Sequence, residues 1–243
     1  MNSSGTIIWN WHIWIWADNL STVSIKNSSG VTYNILPYNL ASKWDSSEKT
    51  SIKNWHYQWG RNVPMLCPSA YNSYIDSNSY GTLEFNDARR ANSYSQGIAN
   101  PTTFYYNPSS PCNWFSSTLY YNLWDANCTK TGASDNITVK TVYDPCPPGF
   151  KIPNGNTFTG FKISNGGSFN NGYTWNGTFF PASGCRSYTD GDLQEVGSLG
   201  CVYTSAVDEY GYACSLEFSS NYVNPQQFSF YADGSSVRPV AES

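Results

Sequence analysis

The sequence predicts a β-rich fold in which short strands are joined by long loops. Aromatic residues make up 17% of the chain and charged residues only 12%, about half of the ~25% charged content that is typical of globular domains. Apolar and polar residues alternate with period two in several short segments, which is the pattern of strands with one buried face. Glycine, proline, asparagine and serine are concentrated between these segments, where they mark turns. We expect residues 1–243 to form a single domain of a β-rich extracellular or virion-surface protein.

The first predicted strand runs from Ile7 to Trp16. Every second side chain along it is apolar, and the alternate positions mix apolar and polar groups. Period two combined with β-branched and aromatic residues favours a strand. His12 lies on the mixed face, where it is either a ligand or catalytic base or, as we favour, a structural histidine among tryptophans. The apolar face consists of Ile7, Trp9, Trp11, Ile13 and Ile15.

The remaining regular elements follow in order along the chain. A second strand is predicted at Val31 to Leu36, and another at Ile137 to Tyr143. The mixture of charges most typical of a helix lies at Ser42 to Lys53. Prolines between Asp144 and Pro153 fix φ and remove backbone donors, so this segment predicts a stiff corner packed against the core and excludes a central strand. The Gly- and Asn-rich segment from Gly160 to Gly177 predicts hairpins.

Residues 65–136 are the least regular part of the sequence. Tyr, Asn, Ser and Pro dominate it, and Asn-Pro and Ser-Pro pairs mark its turns. Its apolar residues are too scattered to form a core of their own, so we expect a loop-rich insertion and not a separate domain. Long ordered loops often have functional roles, which makes this insertion a candidate flank of a binding face. The scattered apolar residues are Leu83, Phe85, Phe104, Trp114, Leu119, Leu123 and Trp124.

Arg61 stands beside aromatic residues in the segment from His56 to Pro64. A guanidinium in that setting either binds an anionic ligand or serves the fold by stacking on Trp59 or tying down a loop. We favour the structural role, because a planar guanidinium both stacks on rings and donates several hydrogen bonds.

The C-terminal stretch from Gly184 to Val240 alternates between two kinds of position. One kind has glycine, proline and spaced apolar residues such as Leu216 and Phe218, which predict turns and strand residues that face a core. The other kind is rich in Tyr, Ser, Phe and Asp, a composition typical of recognition surfaces. We therefore expect a rigid frame that displays one exposed ligand-binding face. The residues predicted for this face are Ser187, Tyr188, Asp190, Asp192, Cys201, Tyr203, Asp208, Tyr210, Tyr212, Tyr222, Phe228, Phe230, Tyr231 and Asp233.

Charge and cysteine content argue against several classes of protein. The net charge is −4, and no cluster of Lys and Arg predicts binding to nucleic acid. No apolar run approaches the ~18 residues of a membrane span, so we expect no membrane insertion. The residues after Met1 lack the basic character of a signal peptide, so we expect a mature fragment or a protein exported by another route. Of the 7 cysteines, we expect Cys185, Cys201 and Cys214 to be free thiols, and disulfides among the other cysteines stay open.

The sequence contains no pattern that predicts catalysis or a bound cofactor. Only 2 histidines are present, neither of them at a metal-ligand spacing, and nucleophile, P-loop and dinucleotide motifs are absent. Carboxylate pairs for glycoside hydrolysis need only proximity in space, but we interpret Asp190/Asp192 and Asp208/Glu209 as polar loop residues. We expect no enzyme activity, no metal and no cofactor.

Five segments spread over nearly the whole chain resemble the motifs of one known family, in the family's order. They are Ile7–Trp14, Tyr57–Arg61, Tyr143–Gly149, Phe180–Gly184 and Ser236–Val240. That family is the Fibrobacter succinogenes major paralogous domain, which is common in surface proteins of Bacteroidetes. The resemblance implies an α+β domain with the C-type lectin-like fold, with mostly short antiparallel strands, long loops, few helices and a loop-rich ligand face. The run from Leu36 to Ala41 departs from the family pattern.

The C-terminal stretch also resembles the variable region of proteins diversified by diversity-generating retroelements, in which the adenines of Asn-type codons are randomised. Codons of the form NNC or NNT cannot encode Trp, Met, Lys, Gln or Glu. From Asn176 onward the chain contains no Trp, Met or Lys, although 10 Trp stand before that point. The residue types at the mixed positions, such as Tyr, Ser, Asp, Phe and Cys, can all be encoded in this way. The resemblance thus implies a variable ligand face at residues 184–240.

The two resemblances together imply a binding protein that displays a diversified surface and recognises a protein or glycan on a cell surface. It would belong to a gut bacterium, as a cell-surface adhesin, or to its phage, as a receptor-binding protein of the virion. Two alternatives are a structural fimbrial or cell-envelope module without a variable site, and a glycan-active enzyme. Sequences of sibling genes separate the binding protein from the structural module, because diversification concentrates substitutions at the predicted positions.

Overall fold

The structure, a computed structural model, describes residues 3–11, 13, 20–40, 54–65, 86–115, 118–129, 137–165 and 167–242. Short strands and long loops make up most of this part of the chain, which confirms the predicted β-rich fold with few helices. The elements are β1 (Val23–Lys26), β2 (Thr32–Ile35), β3 (Tyr57–Gln58), β4 (Asn86–Arg89), α1 (Tyr94–Ala99), β5 (Thr103–Tyr106), β6 (Phe150–Lys151), a 3-10 helix (Ile163–Asn165), β7 (Gly172–Trp175), β8 (Thr178–Pro181), β9 (Cys185–Arg186), β10 (Leu193–Gln194), β11 (Gly200–Val207), β12 (Ala213–Ser219), β13 (Tyr222–Ser229), β14 (Gly234–Val237) and β15 (Val240–Ala241).

A four-stranded antiparallel sheet joins early and late parts of the chain. Its strand order is β1-β2-β15-β6. Strand β2 lies inside the segment Val31 to Leu36, so the second predicted strand is confirmed. Strand β6 lies at the edge of the sheet, as expected for the proline-rich corner, because a segment that lacks several backbone donors cannot be bonded on both sides.

The large sheet supports the C-terminal stretch. Its strand order is β10-β9-β14-β11-β12-β13, with β3 also paired to β14. Strand β11 is buried at every position, and β14 joins it in parallel while β12 joins it antiparallel. Leu216 and Phe218 on β12 are 0% exposed, which confirms that they face the core. A Cβ at Gly200 on β11 would lie 2.0 Å from the ring of Phe218, so only glycine allows these two strands to pack this closely.

Two clusters of buried apolar side chains form the interior. The first is centred on Trp59, Trp114 and Trp124, and the second on Phe161 and Trp175. Full burial of one large apolar side chain contributes roughly 1.5–3 kcal/mol. Two of the three tryptophans of the first cluster come from the predicted insertion at residues 65–136, so the described part of the insertion shares its core with the rest of the chain.

Arg61 has the structural role that we favoured. It is buried, and its guanidinium donates hydrogen bonds to the carbonyl oxygens of Gly97 and Asn100 at the end of α1. The guanidinium carbon lies 5.1 Å from the centre of the ring of Trp114, which takes the place that we expected for Trp59. Arg61 therefore ties the insertion to the core.

The predicted strand from Ile7 to Trp16 is wrong for its described residues, 7–11 and 13, none of which belongs to a strand. No other strand pairs with these residues in the described part of the chain. Trp9 instead packs its ring 5.7 Å from that of Tyr143, and Trp11 is 79% exposed. The alternation of apolar residues therefore reflects packing of single side chains and not a strand with one buried face.

The predicted strand from Ile137 to Tyr143 is also wrong, since its backbone makes only an isolated bridge, between Lys140 and Asp125. The ammonium of Lys140 donates to the carbonyl oxygens of Cys146 and Phe150, at 2.6 Å each. This segment thus serves to hold the proline-rich corner by a side chain rather than to extend a sheet.

The hairpin prediction for Gly160 to Gly177 is confirmed in its second half. Strands β7 and β8 pair across the turn at Asn176 and Gly177, whose φ angles of 48° and 78° are typical of the tight turn of a two-residue hairpin. The first half contains turns and the 3-10 helix. The predicted helix at Ser42 to Lys53 and the side chain of His12 lie outside the described residues.

Candidate ligand-binding site

Four aromatic side chains from three segments of the C-terminal stretch meet in one cluster. The ring centres of Tyr188 and Phe230 are 4.4 Å apart, those of Tyr212 and Phe230 are 5.4 Å apart, and those of Tyr212 and Phe228 are 6.4 Å apart. Phe228 is 57% exposed, and the other three side chains are half-buried. We call Tyr188, Tyr212, Phe228 and Phe230 the aromatic surface. The structure thus brings together four of the residues predicted for the ligand face.

Asp233 holds two of the contributing loops together beneath the aromatic surface. One carboxylate oxygen accepts a hydrogen bond from the backbone N–H of Tyr188 at 3.1 Å, and the other accepts from the backbone N–H of Phe230 at 2.9 Å. Burial raises the pKa of Asp233 to about 7, and the two N–H donors oppose this rise. The hydroxyl of Tyr203 donates to the carbonyl oxygens of Phe230 and Asp233. These bonds fix the backbone of the loops and do not involve the side chains of the aromatic surface.

Asp208 shapes the turn between β11 and β12 in the same way. One of its carboxylate oxygens accepts from the backbone N–H groups of Tyr210 and Tyr212, at 3.0 and 2.6 Å. A carboxylate that bonds the backbone a few residues ahead is typical of turns. Tyr210 is 66% exposed at the tip of this turn. The hydrogen bond and the negative charge of Glu209 raise the pKa of the Tyr210 phenol.

The loop from Ser187 to Asp192 follows β9 and is closed by the backbone N–H of Ser187, which donates to the carbonyl oxygen of Asp192 at 2.9 Å. Asp190 and Asp192 are exposed in it. The backbone N–H of Asn107 donates to the carbonyl oxygen of Tyr188 at 2.6 Å. The insertion at residues 65–136 therefore contacts the aromatic surface from one side, which the sequence left open.

Five residues predicted for the exposed face are buried, and for them the expectation of exposure is wrong. Ser187, Tyr203 and Asp208 are buried because their side chains bond the loops from below. Cys201 is 5% exposed in the middle of the large sheet. Tyr231 is 2% exposed, because adjacent residues of an extended chain point to opposite sides, and Tyr231 points inward.

Tyr222 is exposed but lies far from the aromatic surface. It begins β13, and Phe228 lies near the other end of that strand. Tyr222 lies opposite Ser219 and Phe228 opposite Cys214, so a rise of about 3.3 Å per residue of β12 places them roughly 17 Å apart along the sheet. The phenol of Tyr222 donates to the side-chain oxygen of Gln227 at 3.0 Å. Tyr222 therefore does not belong to the same contact area.

Sequence reasoning missed two residues at this site. Glu209 is exposed beside Tyr210, and its position inside the turn was a signal that could have identified it. Asn107 is distant in sequence, and no local pattern predicts its contact with Tyr188.

Several titratable side chains of the described part of the chain lie against backbone groups. Burial lowers the pKa of His56 to about 4, and its Nε2 lies 3.1 Å from the carbonyl oxygen of Gly184. The carboxylates of Asp208 and Asp233 are bonded to backbone N–H groups. Within the described ranges, no group of three or more His, Cys, Asp or Glu side chains is arranged to hold a metal ion. The same residues include no helix long and apolar enough to span a membrane.

A groove of about 250 Å³ lies beside the four-stranded sheet. Lys151 and Asn154 contribute to its lining, but the ammonium of Lys151 already donates to the carbonyl oxygen of Thr138, and the amide of Asn154 donates to the hydroxyl of Tyr33. Pockets that enclose a small molecule are typically ~300–1,000 Å³. The aromatic surface is therefore the stronger candidate for a binding site.

No family model, curated protein or solved structure matches the chain in comparisons with known proteins. A fold by itself does not identify a function, because one architecture serves many activities. The function is therefore argued from the aromatic surface and the groups that support it.

Proposed function

We propose that this chain is a binding protein that recognises its partner through the aromatic surface. The observation that supports this most directly is the contact of Tyr188 and Tyr212 with Phe230, three side chains from three separate loops. The backbones of two of these loops are bonded to one half-buried carboxylate, that of Asp233. Such an arrangement presents aromatic contact area on a fixed support, and no chemical step is part of the proposal.

The composition of the surface favours recognition of another molecule. Tyr and Phe supply large contact area with few rotatable bonds, and aromatic residues are enriched at protein interfaces. Phe228 is 57% exposed and lies among three half-buried aromatic rings, and clustered exposed aromatic residues mark interaction sites. The exposed carboxylates of Asp190, Asp192 and Glu209 add hydrogen-bond acceptors in the loops that contain Tyr188 and Tyr212.

We further propose that the scaffold is C-type lectin-like, as its resemblance to the Fibrobacter succinogenes major paralogous domain implies, and that a diversity-generating retroelement varies the surface. The supporting bonds end on backbone N–H and C=O groups, so they survive a change of the side chain above them. Such a protein would act on a bacterial cell surface or a phage virion and bind a cell-surface protein or glycan.

Sequencing of sibling copies of the gene tests the diversification. We expect substitutions in NNC or NNT codons at the exposed and half-buried positions, while Tyr203, Asp208 and Asp233 stay constant because they bond the backbone. Substitutions spread evenly over the domain would favour a structural module. The positions expected to vary are Tyr188, Asp190, Asp192, Tyr210, Tyr212, Phe228 and Phe230.

A binding experiment tests the surface itself. The fluorescently labelled chain would be applied to a panel of intact gut bacteria and to a glycan array, and the strongest binding target would then be tested with the double variant Tyr212→Ala/Phe228→Ala. We expect the variant to lose at least tenfold in affinity, since central aromatic residues often contribute more than about 1.4 kcal/mol. Tyr222→Ala is the matched control, because Tyr222 is 38% exposed but distant from the surface. Equal binding by the double variant would contradict the proposal.

A further inference from the structure

Two thiols lie side by side where the loop from Ser187 to Asp192 leaves the large sheet. A parallel backbone bridge joins Gly184 to Gly200, so the residues that follow, Cys185 and Cys201, are neighbours. Strands β9 and β11 diverge beyond this bridge to admit β14 between them. The side chains of the two cysteines are hydrogen-bonded to each other, and both thiols are free.

We propose that Cys185 and Cys201 are an oxidation site that closes to a disulfide between β9 and β11. The oxidant is a disulfide, either of a low-molecular-weight thiol or of a protein. Thiols already in hydrogen-bond contact need only a small approach and a favourable dihedral angle to form the bond. The proposal concerns the covalent state of the scaffold and does not depend on what the aromatic surface binds.

Cys185 and Cys201 differ in their surroundings, and this difference determines which thiol reacts first with the oxidant. Cys185 is half-buried, whereas Cys201 is 5% exposed. The hydrogen bond that the Cys201 thiol donates to Cys185, burial, and the negative charges of Cys185, Glu217 and Asp233 raise the pKa of Cys201 well above that of an ordinary thiol. Because the thiolate is the attacking species, Cys185 is the first nucleophile and Cys201 the second.

The bonds and electrons balance over two exchanges. The thiolate of Cys185 attacks one sulfur of the oxidant, whose S–S bond breaks and releases one thiolate. Cys201 then loses its proton, its sulfur attacks the sulfur of Cys185, and the second oxidant thiolate leaves. Two protein thiols are oxidised, and one external disulfide is reduced to two thiols.

The disulfide would anchor one loop of the aromatic surface. The closed ring runs from Cys185 to Cys201 and contains Tyr188, Asp190 and Asp192. Cross-linking restricts the unfolded chain and holds the loop ends together in the folded one. Oxidation is therefore expected to raise the melting temperature of the full chain.

Peptide mapping tests the pairing. The reduced full chain would be incubated with oxidised glutathione, quenched with acid, capped with N-ethylmaleimide and cleaved after Lys/Arg and after Glu. Cleavage at Arg186 separates Cys185 from Cys201, and cleavage at Glu209 separates Cys201 from Cys214. We expect one linked pair of peptides, those containing Cys185 and Cys201, with a combined mass lower by two hydrogens.

Variants distinguish this pair from other thiols. Cys185→Ser should abolish the link and leave Cys201 available to the capping reagent after unfolding. Cys128→Ser is the matched control, since Cys128 is also a half-buried free thiol, and it should leave the link intact. Cys185 recovered only as a glutathione adduct, or linked to Cys214, overturns the proposal. The mapping of the unsubstituted chain needs no variant, so a folding defect in Cys185→Ser does not remove the test.

Discussion

Phe230 and Tyr231 are neighbours in the chain but belong to two regions that are held in place by different interactions. Phe230 is part of the aromatic surface, where Asp233 and Tyr203 bond its backbone from below. Tyr231 stacks on Trp59 in the core, with ring centres 4.4 Å apart and planes 24° apart. On the surface, main-chain bonds hold the loops. In the core, the side chains themselves hold the chain in place.

This difference indicates which positions can change. Hydrogen bonds to N–H and C=O groups are indifferent to the side chain attached at that residue. A close-packed ring, by contrast, loses its contacts when its volume changes. A variable surface is therefore compatible with a constant fold when the residues below it supply the bonds, as Asp208 and Asp233 do here.

The largest expected effect comes from removing a core ring. Tyr231→Ala leaves a cavity beside Trp59 and should lower the free energy of unfolding by about 3–5 kcal/mol. Tyr231→Phe is the matched control: the hydroxyl is buried and has no hydrogen-bond partner among the described residues, so its loss should be neutral or stabilising. Denaturant unfolding monitored by tryptophan fluorescence measures both. A small effect of Tyr231→Ala would place this residue with the surface instead.

The next effect concerns a supporting carboxylate. Asp208→Ala leaves the N–H groups of Tyr210 and Tyr212 without their acceptor and should cost about 1–3 kcal/mol. Asp208→Asn should lower the free energy of unfolding by less, because its amide keeps an oxygen that can accept both bonds. The substitution replaces only the other oxygen, Oδ2, which is buried without a partner among the described residues. Thermal and denaturant unfolding of the two variants give the comparison. Equal losses of stability in Asp208→Ala and Asp208→Asn would mean that the negative charge of Asp208, and not its hydrogen-bond acceptor, stabilises the turn.

The pH dependence of stability isolates Asp233. Burial raises the pKa of its carboxyl from 3.8 to about 7, so between about pH 4 and pH 7 the folded state holds a proton that the unfolded state releases. Stability therefore rises as the pH falls, and the wild type should gain about 1–3 kcal/mol from pH 8 to pH 5 relative to Asp233→Asn. Burial lowers the pKa of His56 from 6.5 to about 4, which acts in the opposite direction below pH 6.5.

The comparison with Asp233→Asn is needed because His56 titrates in both proteins and cancels in the difference. Unfolding free energies of the two proteins would be measured at intervals from pH 8 to pH 5. Parallel curves would show that the carboxyl of Asp233 keeps an ordinary pKa. Burial would then not be the dominant influence on the pKa of this carboxyl group.

The sequence predicted the elements whose pattern is local. The residues of β2, the turn at Asn176 and Gly177, and the inward face of β12 follow from alternation and turn chemistry within a few residues. The segment from Ile7 to Trp16 has the same alternation but makes no strand in its described residues, because a strand also needs a partner in space, which a local pattern does not specify.

The candidate site was predictable only where exposure follows from the local sequence. The exposure of Tyr210 and Phe228 follows from their polar surroundings and their place near a turn and at the end of a strand. The separation of Phe230 from Tyr231 depends on which side of the chain meets Trp59, and the support of Tyr188 by Asp233 joins residues far apart in sequence. Those contacts are set by tertiary packing.

The smallest effect on stability is expected at the surface. Phe228→Ser removes a ring that is 57% exposed and should change the free energy of unfolding by no more than about 0.5 kcal/mol, as for other exposed positions. The strand pairing of β13 with β12 uses the backbone of this residue, opposite Cys214, and is retained. Denaturant unfolding of Phe228→Ser and of Tyr231→Ala, measured under the same conditions, compares their losses in the free energy of unfolding. A loss as large as that of the core variant would mean that the rings of the aromatic surface hold the fold, and such positions could not vary freely among sibling proteins.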